Sequence, residues 1–84
     1  MSQVRLHYWA GARAAAGVET DDIAASSIAD ALARAAGARP DQGFAKILSA
    51  CSLLVDGRAL HPADLDRPLN EDVTVEVLPP FAGG

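Results

Sequence analysis

The sequence closes with VTVEVLPPFAGG, residues 73–84, in which a strand-like pattern runs directly into a diglycine. Valines alternate with other residues over 73–78, and a period of two predicts a β-strand whose valines face a core. Pro79-Pro80 provides no amide donors, so the pair ends that strand. The pattern predicts one folded domain, residues 1–78, followed by a flexible Gly-Gly tail, residues 79–84.

Two segments near the start of the chain also have strand patterns. Val4, Leu6 and Tyr8 alternate with polar residues and Trp9, which predicts an opening strand with its first set facing the core. Residues 18–24 contain several β-formers and predict a second strand at a sheet edge. The acidic residues of this second strand are predicted to be solvated: Glu19, Asp21 and Asp22.

Two amphipathic helices are predicted in the middle of the chain. Ser26 or Ser27 can cap the first, and Gly37 can end it. Its apolar stripe has helical spacing: Ile28, Ala31, Leu32 and Ala35. Asp41 can cap the second helix. The second stripe repeats the spacing: Phe44, Ile47, Leu48 and Cys51.

A hairpin and an irregular segment precede the last strand. Asp56-Gly57 lies between residues 53–55 and 58–60, and this dipeptide favours the tight turn of a hairpin. Residues 61–70 contain two prolines and are predicted to be irregular or a short helical turn. The order β-β-α-α-β-β-β predicts an α+β fold of the β-grasp, ubiquitin-like type. We expect a mixed sheet of four to five strands, with the first and last parallel at its centre and two helices on one face.

Composition narrows the classes of function. The chain has 84 residues, a formal charge of −4 and a pI near 4.8, which fits one domain and argues against nucleic-acid binding. No apolar run is long enough to cross a bilayer, and no secretory signal opens the chain. The single cysteine, Cys51, fits a reducing compartment. We therefore expect a soluble, cytoplasmic protein with no membrane partner.

The tail has the properties of a segment that enters another protein. Six extended residues reach about 20 Å, and Pro79-Pro80 stiffens the root of the tail. Phe81 can anchor by aromatic burial in a partner. Ala82 and Gly83 keep the end narrow, and Gly84 carries the carboxylate with no side chain beside it. The tail, Pro79 to Gly84, is therefore predicted to insert into a partner.

A docking face is predicted beside the tail. If the valines of the last strand face the core, Trp9 and Leu78 lie on the opposite face, near the same end of neighbouring strands. Leu60 is placed with them, since exposed apolar residues that include an aromatic anchor are typical of interfaces. The alternative is that Trp9 packs singly on the surface or is covered by a loop.

Other candidate sites have weaker patterns. His7, His61 and Cys51 lack the spacing of a metal site, so no metal is expected, and Cys51 is expected in the core. The loop carboxylates have no surrounding residues that would form a pocket: Asp64, Asp66, Glu71 and Asp72. No glycine-rich loop fits a phosphate site, so the chain is expected to bind no cofactor and any ATP must be bound by a partner.

Several segments together resemble the MoaD/ThiS family of ubiquitin-like sulfur carriers, and most of all its molybdopterin synthase small subunits. The matching segments are Tyr8-Trp9-Ala10 with Arg13, Val55-Asp56-Gly57, Asp66-Arg67-Pro68-Leu69 and Val75 to Gly84. The resemblance covers nearly the whole chain, and its tail is the most specific element.

The resemblance implies a function for Gly84. A MoeB-type enzyme would adenylate its carboxylate with ATP, and a sulfur donor such as a cysteine desulfurase or rhodanese would convert it to a thiocarboxylate. A MoaE-type large subunit would receive that sulfur for the molybdopterin precursor. The chain would be a sulfur-donating subunit more than a catalyst. Arg13 matches a family position and is added to the candidate docking face, although a solvated surface arginine is an equal alternative.

Two alternatives remain open at this point. A sulfur carrier of this family could serve thiamine, cysteine or tRNA thiolation instead. A ubiquitin-like modifier would be joined through Gly84 to target lysines, and Lys46 is the one lysine in the chain.

Overall fold

The computed structural model describes residues 1–40 and 43–80 of the chain. Five strands and four helices lie in these residues: β1 (Ser2–Tyr8), α1 (Ala10–Ala16), β2 (Thr20–Ala25), α2 (Ile28–Gly37), α3 (Phe44–Ala50), β3 (Ser52–Val55), β4 (Arg58–Ala59), α4 (Pro62–Leu65) and β5 (Val73–Leu78). Phe81, Ala82, Gly83 and Gly84 lie outside the described residues, as does the helix cap predicted at Asp41.

The strands form one mixed sheet in the order β2-β1-β5-β3-β4. β1 and β5 are parallel neighbours at its centre, and the other pairs are antiparallel. A parallel pair needs a long crossover connection, and here the whole middle of the chain supplies it. The predicted α+β, β-grasp fold is confirmed, including the central position of the first and last strands.

The hydrophobic core lies between one face of the sheet and the helices. β1 and β5 supply its largest aliphatic part, and α1, α2 and α3 cover it. The buried apolar residues are Val4, Leu6, Tyr8, Ala12, Ala16, Ala25, Ile28, Ala31, Ala35, Phe44, Leu48, Val75 and Val77. The period-two and helical stripes predicted from the sequence therefore do face the same core. No helix of the described residues covers the opposite sheet face, which we call the open face.

Local signals explain where several elements begin and turn. Ser27 caps α2 by accepting a hydrogen bond from the backbone of Asp30 at 3.0 Å, which selects Ser27 over Ser26. Asp56 and Gly57 have φ angles of +52° and +78°. Two consecutive positive φ angles are those of a tight primed hairpin turn, so the predicted hairpin is confirmed.

The helix count is a correction, because α1 was not predicted. The four-residue α4 is the short helical turn that was one of the two alternatives predicted for residues 61–70. α1 has the sequence AGARAAA, which contains no large apolar residue to reveal a stripe. Alanine has the highest helix propensity, and Ala12 and Ala16 allow α1 to pack closely on the core. Gly17, with φ +78°, ends α1 in the left-handed conformation.

The helices in residues 1–40 and 43–80 are also informative about membranes. None of them is both long enough and apolar enough to cross a bilayer.

Candidate functional site

β1 and β5 end at the same edge of the sheet, because they are parallel and in register from Val4 with Val73 to Tyr8 with Val77. The backbone amide of Trp9 continues the ladder by donating to the Val77 carbonyl at 3.1 Å. Pro79 is half-buried and Pro80 is exposed just beyond this edge. The root of the tail therefore leaves the folded body next to Trp9.

Trp9 lies on the open face, as the alternation predicted. It follows Tyr8, whose side chain is buried on the core side, and its own side chain is 45% exposed. Leu78 follows Val77 and is also on the open face, partly exposed. The structure therefore brings Trp9 and Leu78 together at the root of the tail.

Leu60 does not join this face. Its amide donates to the Leu53 carbonyl at 2.8 Å, and Leu53 pairs with Val77, a buried core residue. Residues paired across a sheet share a face, so Leu60 lies on the helix side, where it packs against the core. The placement of Leu60 beside Trp9 and Leu78 was wrong.

Arg13 lies on α1, one turn after Trp9. Its amide donates to the Trp9 carbonyl at 3.3 Å, and its side chain is exposed. It is therefore near the tail root through the start of α1, and it does not belong to the open face of the sheet.

A polar network fixes Trp9 on the open face. The indole Nε1–H donates to Oε1 of Glu76 at 2.7 Å, and His7 Nδ1 lies 2.7 Å from the same oxygen. A carboxylate only accepts hydrogen bonds, so Nδ1 carries a proton in this contact. The His7 and Trp9 rings are also in contact, with centroids 4.6 Å apart. We call His7, Trp9 and Glu76 the open-face network.

A second polar network lies on the core side, at the buried Tyr8. The Tyr8 hydroxyl donates to Oδ2 of Asp21 at 2.7 Å. Arg39 donates to both oxygens of Asp21, at 2.8 and 3.2 Å, and to the carbonyl of Ala16 at 2.9 Å. The Arg39 guanidinium also lies 5.0 Å from the centroid of the Phe44 ring, within range of a cation–π contact. We call Tyr8, Asp21 and Arg39 the core-side network.

The core-side network shifts the pKa values of its members. Burial alone would raise the pKa of Asp21, but hydrogen bonds from Arg39 and Tyr8 outweigh it and hold that pKa below its ordinary value. Burial, followed by the hydrogen bond to Asp21, raises the pKa of the Tyr8 phenol well above its ordinary value. Asp21 is therefore paired and partly buried, which corrects its predicted solvation. Asp22 is exposed and pairs with Arg5 at 2.8 Å.

The remaining candidates have structural surroundings. Cys51 is partly buried and its Sγ lies 3.1 Å from the Ile47 carbonyl, while burial raises the pKa of its thiol. His61 is exposed at the start of α4. Within residues 1–40 and 43–80, no three of the His, Cys, Asp and Glu side chains are grouped so that they could hold a metal ion.

Sequence reasoning missed Glu76 and Arg39 as members of polar networks. For Glu76 the signal was present, because alternation puts it on the face of Trp9 and Leu78. Arg39 had no local signal, since it meets Asp21 across 18 positions of sequence.

Solved structures with similar folds were found for the whole chain. Small archaeal modifier protein 1 from Haloferax volcanii superposes with a TM-score of 0.77 at 20% identity, over 98% of this chain and 99% of that one. A putative molybdopterin converting factor subunit 1 from Pyrococcus furiosus gives 0.76 at 21%, over 96% and 100%. A chain from a structure described as the complex of subunits 1 and 2 of the molybdopterin-converting factor from Helicobacter pylori 26695 gives a TM-score of 0.67 at 20% identity, over 98% of this chain and 99% of that one.

These identities establish the shared fold, and sequence comparison establishes the family. No curated protein matches the sequence significantly. The model of the ThiS family, however, matches residues 6–84, which include the end of β1, the whole of β5, Trp9 and residues 79–84. Together with the β-grasp fold, this match shows that the chain belongs to the ThiS family of ubiquitin-like sulfur carriers.

Proposed function

We propose that this protein is the small subunit of a molybdopterin synthase, in which Gly84 carries sulfur as a thiocarboxylate. The observation that carries the proposal is the position of Pro79 and Pro80. β5 delivers them to a sheet edge beside the half-exposed Trp9. A tail that leaves the body at this edge can enter a partner while the open face docks outside it.

The chemistry requires activation, because a carboxylate is a poor acyl donor. The Gly84 carboxylate attacks the α-phosphate of ATP bound by a MoeB-type enzyme, and pyrophosphate leaves. The outer sulfur of a persulfide on a cysteine desulfurase or rhodanese then attacks the acyl carbon, and AMP leaves. A thiol reductant cleaves the S–S bond of the resulting acyl disulfide, which releases the thiocarboxylate and leaves the donor cysteine in a disulfide with that thiol. The thiocarboxylate passes its sulfur to the molybdopterin precursor in a MoaE-type subunit, and water restores the carboxylate. Gly83 and Gly84 put no side chain beside the reacting carbon.

Support for a MoaE-type partner comes from one structural neighbour. The Helicobacter pylori structure is described as a complex of subunits 1 and 2 of the molybdopterin-converting factor. The docking surface proposed here consists of Trp9 and Leu78 on the open face, with Arg13 at its border and residues 79–84 as the inserted segment.

Intact-mass spectrometry tests this proposal. The protein is incubated with ATP, a MoeB-type enzyme and a sulfur donor. We expect a mass gain equal to the replacement of one oxygen by sulfur, abolished in a variant lacking Gly84. Transfer is then followed by adding a MoaE-type subunit loaded with precursor. No mass gain with any cognate activating enzyme would contradict the proposal.

Sulfur delivery to thiamine, cysteine or tRNA thiolation is the other carrier function that fits the same tail. It would give the same mass gain, but the thiocarboxylate would not react with the loaded MoaE-type subunit. The acceptor assay therefore separates the pathways after the carrier chemistry has been established.

A second candidate is a ubiquitin-like modifier, favoured by the similarity to small archaeal modifier protein 1. In that case Gly84 would form isopeptide bonds with lysines of other proteins. Lys46, exposed on α3, is the single lysine of this chain. Isopeptide-linked adducts of tagged protein in a lysate of the native cell, lost on deletion of Gly84, would support this function over sulfur transfer.

A further inference from the structure

The open-face network contains a carboxylate held in place beside the tail root. Oε1 of Glu76 receives both the Trp9 indole N–H and His7 Nδ1, each at 2.7 Å. Among the residues that the structure describes, none donates to the other oxygen, Oε2. The Glu76 side chain is 34% exposed, so a donor arriving from outside can reach it.

A second carboxylate lies close to the Glu76 carboxylate. Glu19 lies on the other side of His7, with Oε1 3.6 Å from His7 Nε2, and its side chain is well exposed. The nearest arginine of the open face in the ladder, Arg5, is paired with Asp22 at 2.8 Å. Arg5 opposes Thr74, two ladder positions away from Glu76 and on the same face. Glu19 and Glu76 therefore present two carboxylates on either side of His7, and within the described residues neither is paired with a lysine or an arginine.

We infer that Glu76 is the acceptor for a cationic side chain, a guanidinium or an ammonium group, on the protein that receives the tail. This inference rests on the proposed function, because it places the cation beside the entrance for residues 79–84. It goes further by assigning the partner's chemistry: an apolar slot for Trp9 and Leu78, with a basic group next to it.

Preorganisation distinguishes Glu76 from Glu19. Two hydrogen bonds already fix the Glu76 carboxylate, so little side-chain freedom is lost on binding. A partner seated over Trp9 would also exclude water from this carboxylate, and a charge-assisted hydrogen bond is stronger where water is excluded. Glu19 lacks this support and contributes mainly long-range attraction, which salt screens.

The test uses the full chain with purified MoaE-type and MoeB-type proteins from the same genome. Glu76→Gln keeps an amide oxygen for Trp9 and His7 but removes the charge. We expect its dissociation constant for at least one of the two partners to rise about tenfold at low salt. The wild-type affinity is expected to fall as salt is added, and the variant's affinity to depend less on salt.

Glu71→Gln is the matched control. It removes the same charge from an exposed residue that precedes β5, at the opposite end of the strand from the tail. We expect it to bind within about twofold of wild type, because distant surface charges are screened. Far-UV circular dichroism of all three proteins checks that each is folded.

The outcomes separate the role of Glu76 from the sulfur-carrier proposal. Equal affinity and equal salt dependence of Glu76→Gln and wild type, for both partners, would overturn the role of Glu76 while leaving the sulfur-carrier proposal intact. Equal losses in Glu76→Gln and Glu71→Gln would overturn it too, since only net charge would matter. A wild-type chain that neither binds the partners nor gains sulfur would overturn both.

Discussion

Tyr8 and Trp9 are neighbours in sequence, yet each donates its polar hydrogen to a carboxylate on a different side of the sheet. Tyr8 binds Asp21 among the helices, and Trp9 binds Glu76 on the open face, both at 2.7 Å. Each carboxylate also contacts a basic side chain, Arg39 or His7. Each network thus combines an aromatic donor, a carboxylate and a basic side chain, but the two differ in their exposure to water.

The two networks differ in their exposure to water, and this difference assigns the core-side network to stability and the open-face network to the proposed recognition of a partner. Arg39 donates to both oxygens of Asp21, and the two side chains are only 16% and 23% exposed, so we assign the core-side network to holding the fold together. Glu76 has an outward oxygen, and Trp9 remains 45% exposed. The alternation at the end of β1 therefore gives one aromatic residue to the core and the next to the proposed docking surface.

Removing Arg39 is expected to have the largest effect on the fold. Arg39→Ala leaves Asp21 with only the Tyr8 hydroxyl in a partly buried site, and we expect a loss of about 2 kcal/mol in the free energy of unfolding. Urea titration followed by circular dichroism measures it. Arg34→Ala breaks an exposed pair with Asp30 on α2 and should cost much less. Equal losses would mean that burial does not distinguish the pairs.

Trp9→Ala, unlike Arg39→Ala, should affect partner binding more than stability. We expect partner affinity to fall about thirtyfold, since exposed aromatic anchors dominate interface energies, while urea stability changes little. Trp9→Phe keeps the ring but removes the donor to Glu76, and we expect a loss of about threefold. Isothermal titration against the MoaE-type subunit measures both. Unchanged affinity in Trp9→Ala would remove this residue from the docking surface.

Alkaline titration probes the core-side network directly, because Tyr8 is the single tyrosine. Burial and the bond to Asp21 raise its pKa, so the contribution of Tyr8 to stability is complete below pH of about 10, the ordinary tyrosine value. That contribution is lost as pH rises from there toward the folded-state pKa. We therefore expect phenolate absorbance to rise together with unfolding.

Tyr8→Phe is the control for this titration. It should lack the absorbance change and lose less stability between pH 9 and 11, a range of about two units around the ordinary tyrosine value. A simple titration of Tyr8 near its ordinary pKa, with circular dichroism unchanged, would show that water reaches the hydroxyl in the folded protein.

The contrast between the two faces was largely predictable from sequence. Alternation in β1 and β5 assigned Tyr8 to the core and Trp9 and Leu78 to the open face. The same reasoning placed Leu60 wrongly only because the register was not followed through the turn. A two-residue turn at Asp56-Gly57 pairs Leu60 with Leu53, and therefore puts it on the core side.

Other features depend on contacts between residues far apart in sequence, which no local pattern contains. Arg39 reaches Asp21 from beyond the end of α2, and the guanidinium position follows from the packing of α1, α2 and β2 together. α1 is a different case, since its contacts are made by alanines. Small residues pack closely without leaving the large apolar stripe by which helices are recognised.

The smallest predicted effect concerns the residue that follows this pair of aromatics. Ala10 begins α1 with a φ of +46°, a left-handed conformation that costs a side chain about 1–2 kcal/mol. Glycine removes that cost but loses about 0.5–1 kcal/mol of chain entropy, so Ala10→Gly should stabilise the fold by about 0.5 kcal/mol.

Ala14→Gly makes the same change in composition in the same helix, at an exposed position of α1 without a positive φ. At position 14 there is no backbone strain for glycine to relieve, so the substitution should lower the free energy of unfolding by about 1 kcal/mol. Urea titration therefore predicts opposite signs for two identical substitutions four residues apart. Equal destabilisation would show that the positive φ of Ala10 stores no strain that glycine can relieve.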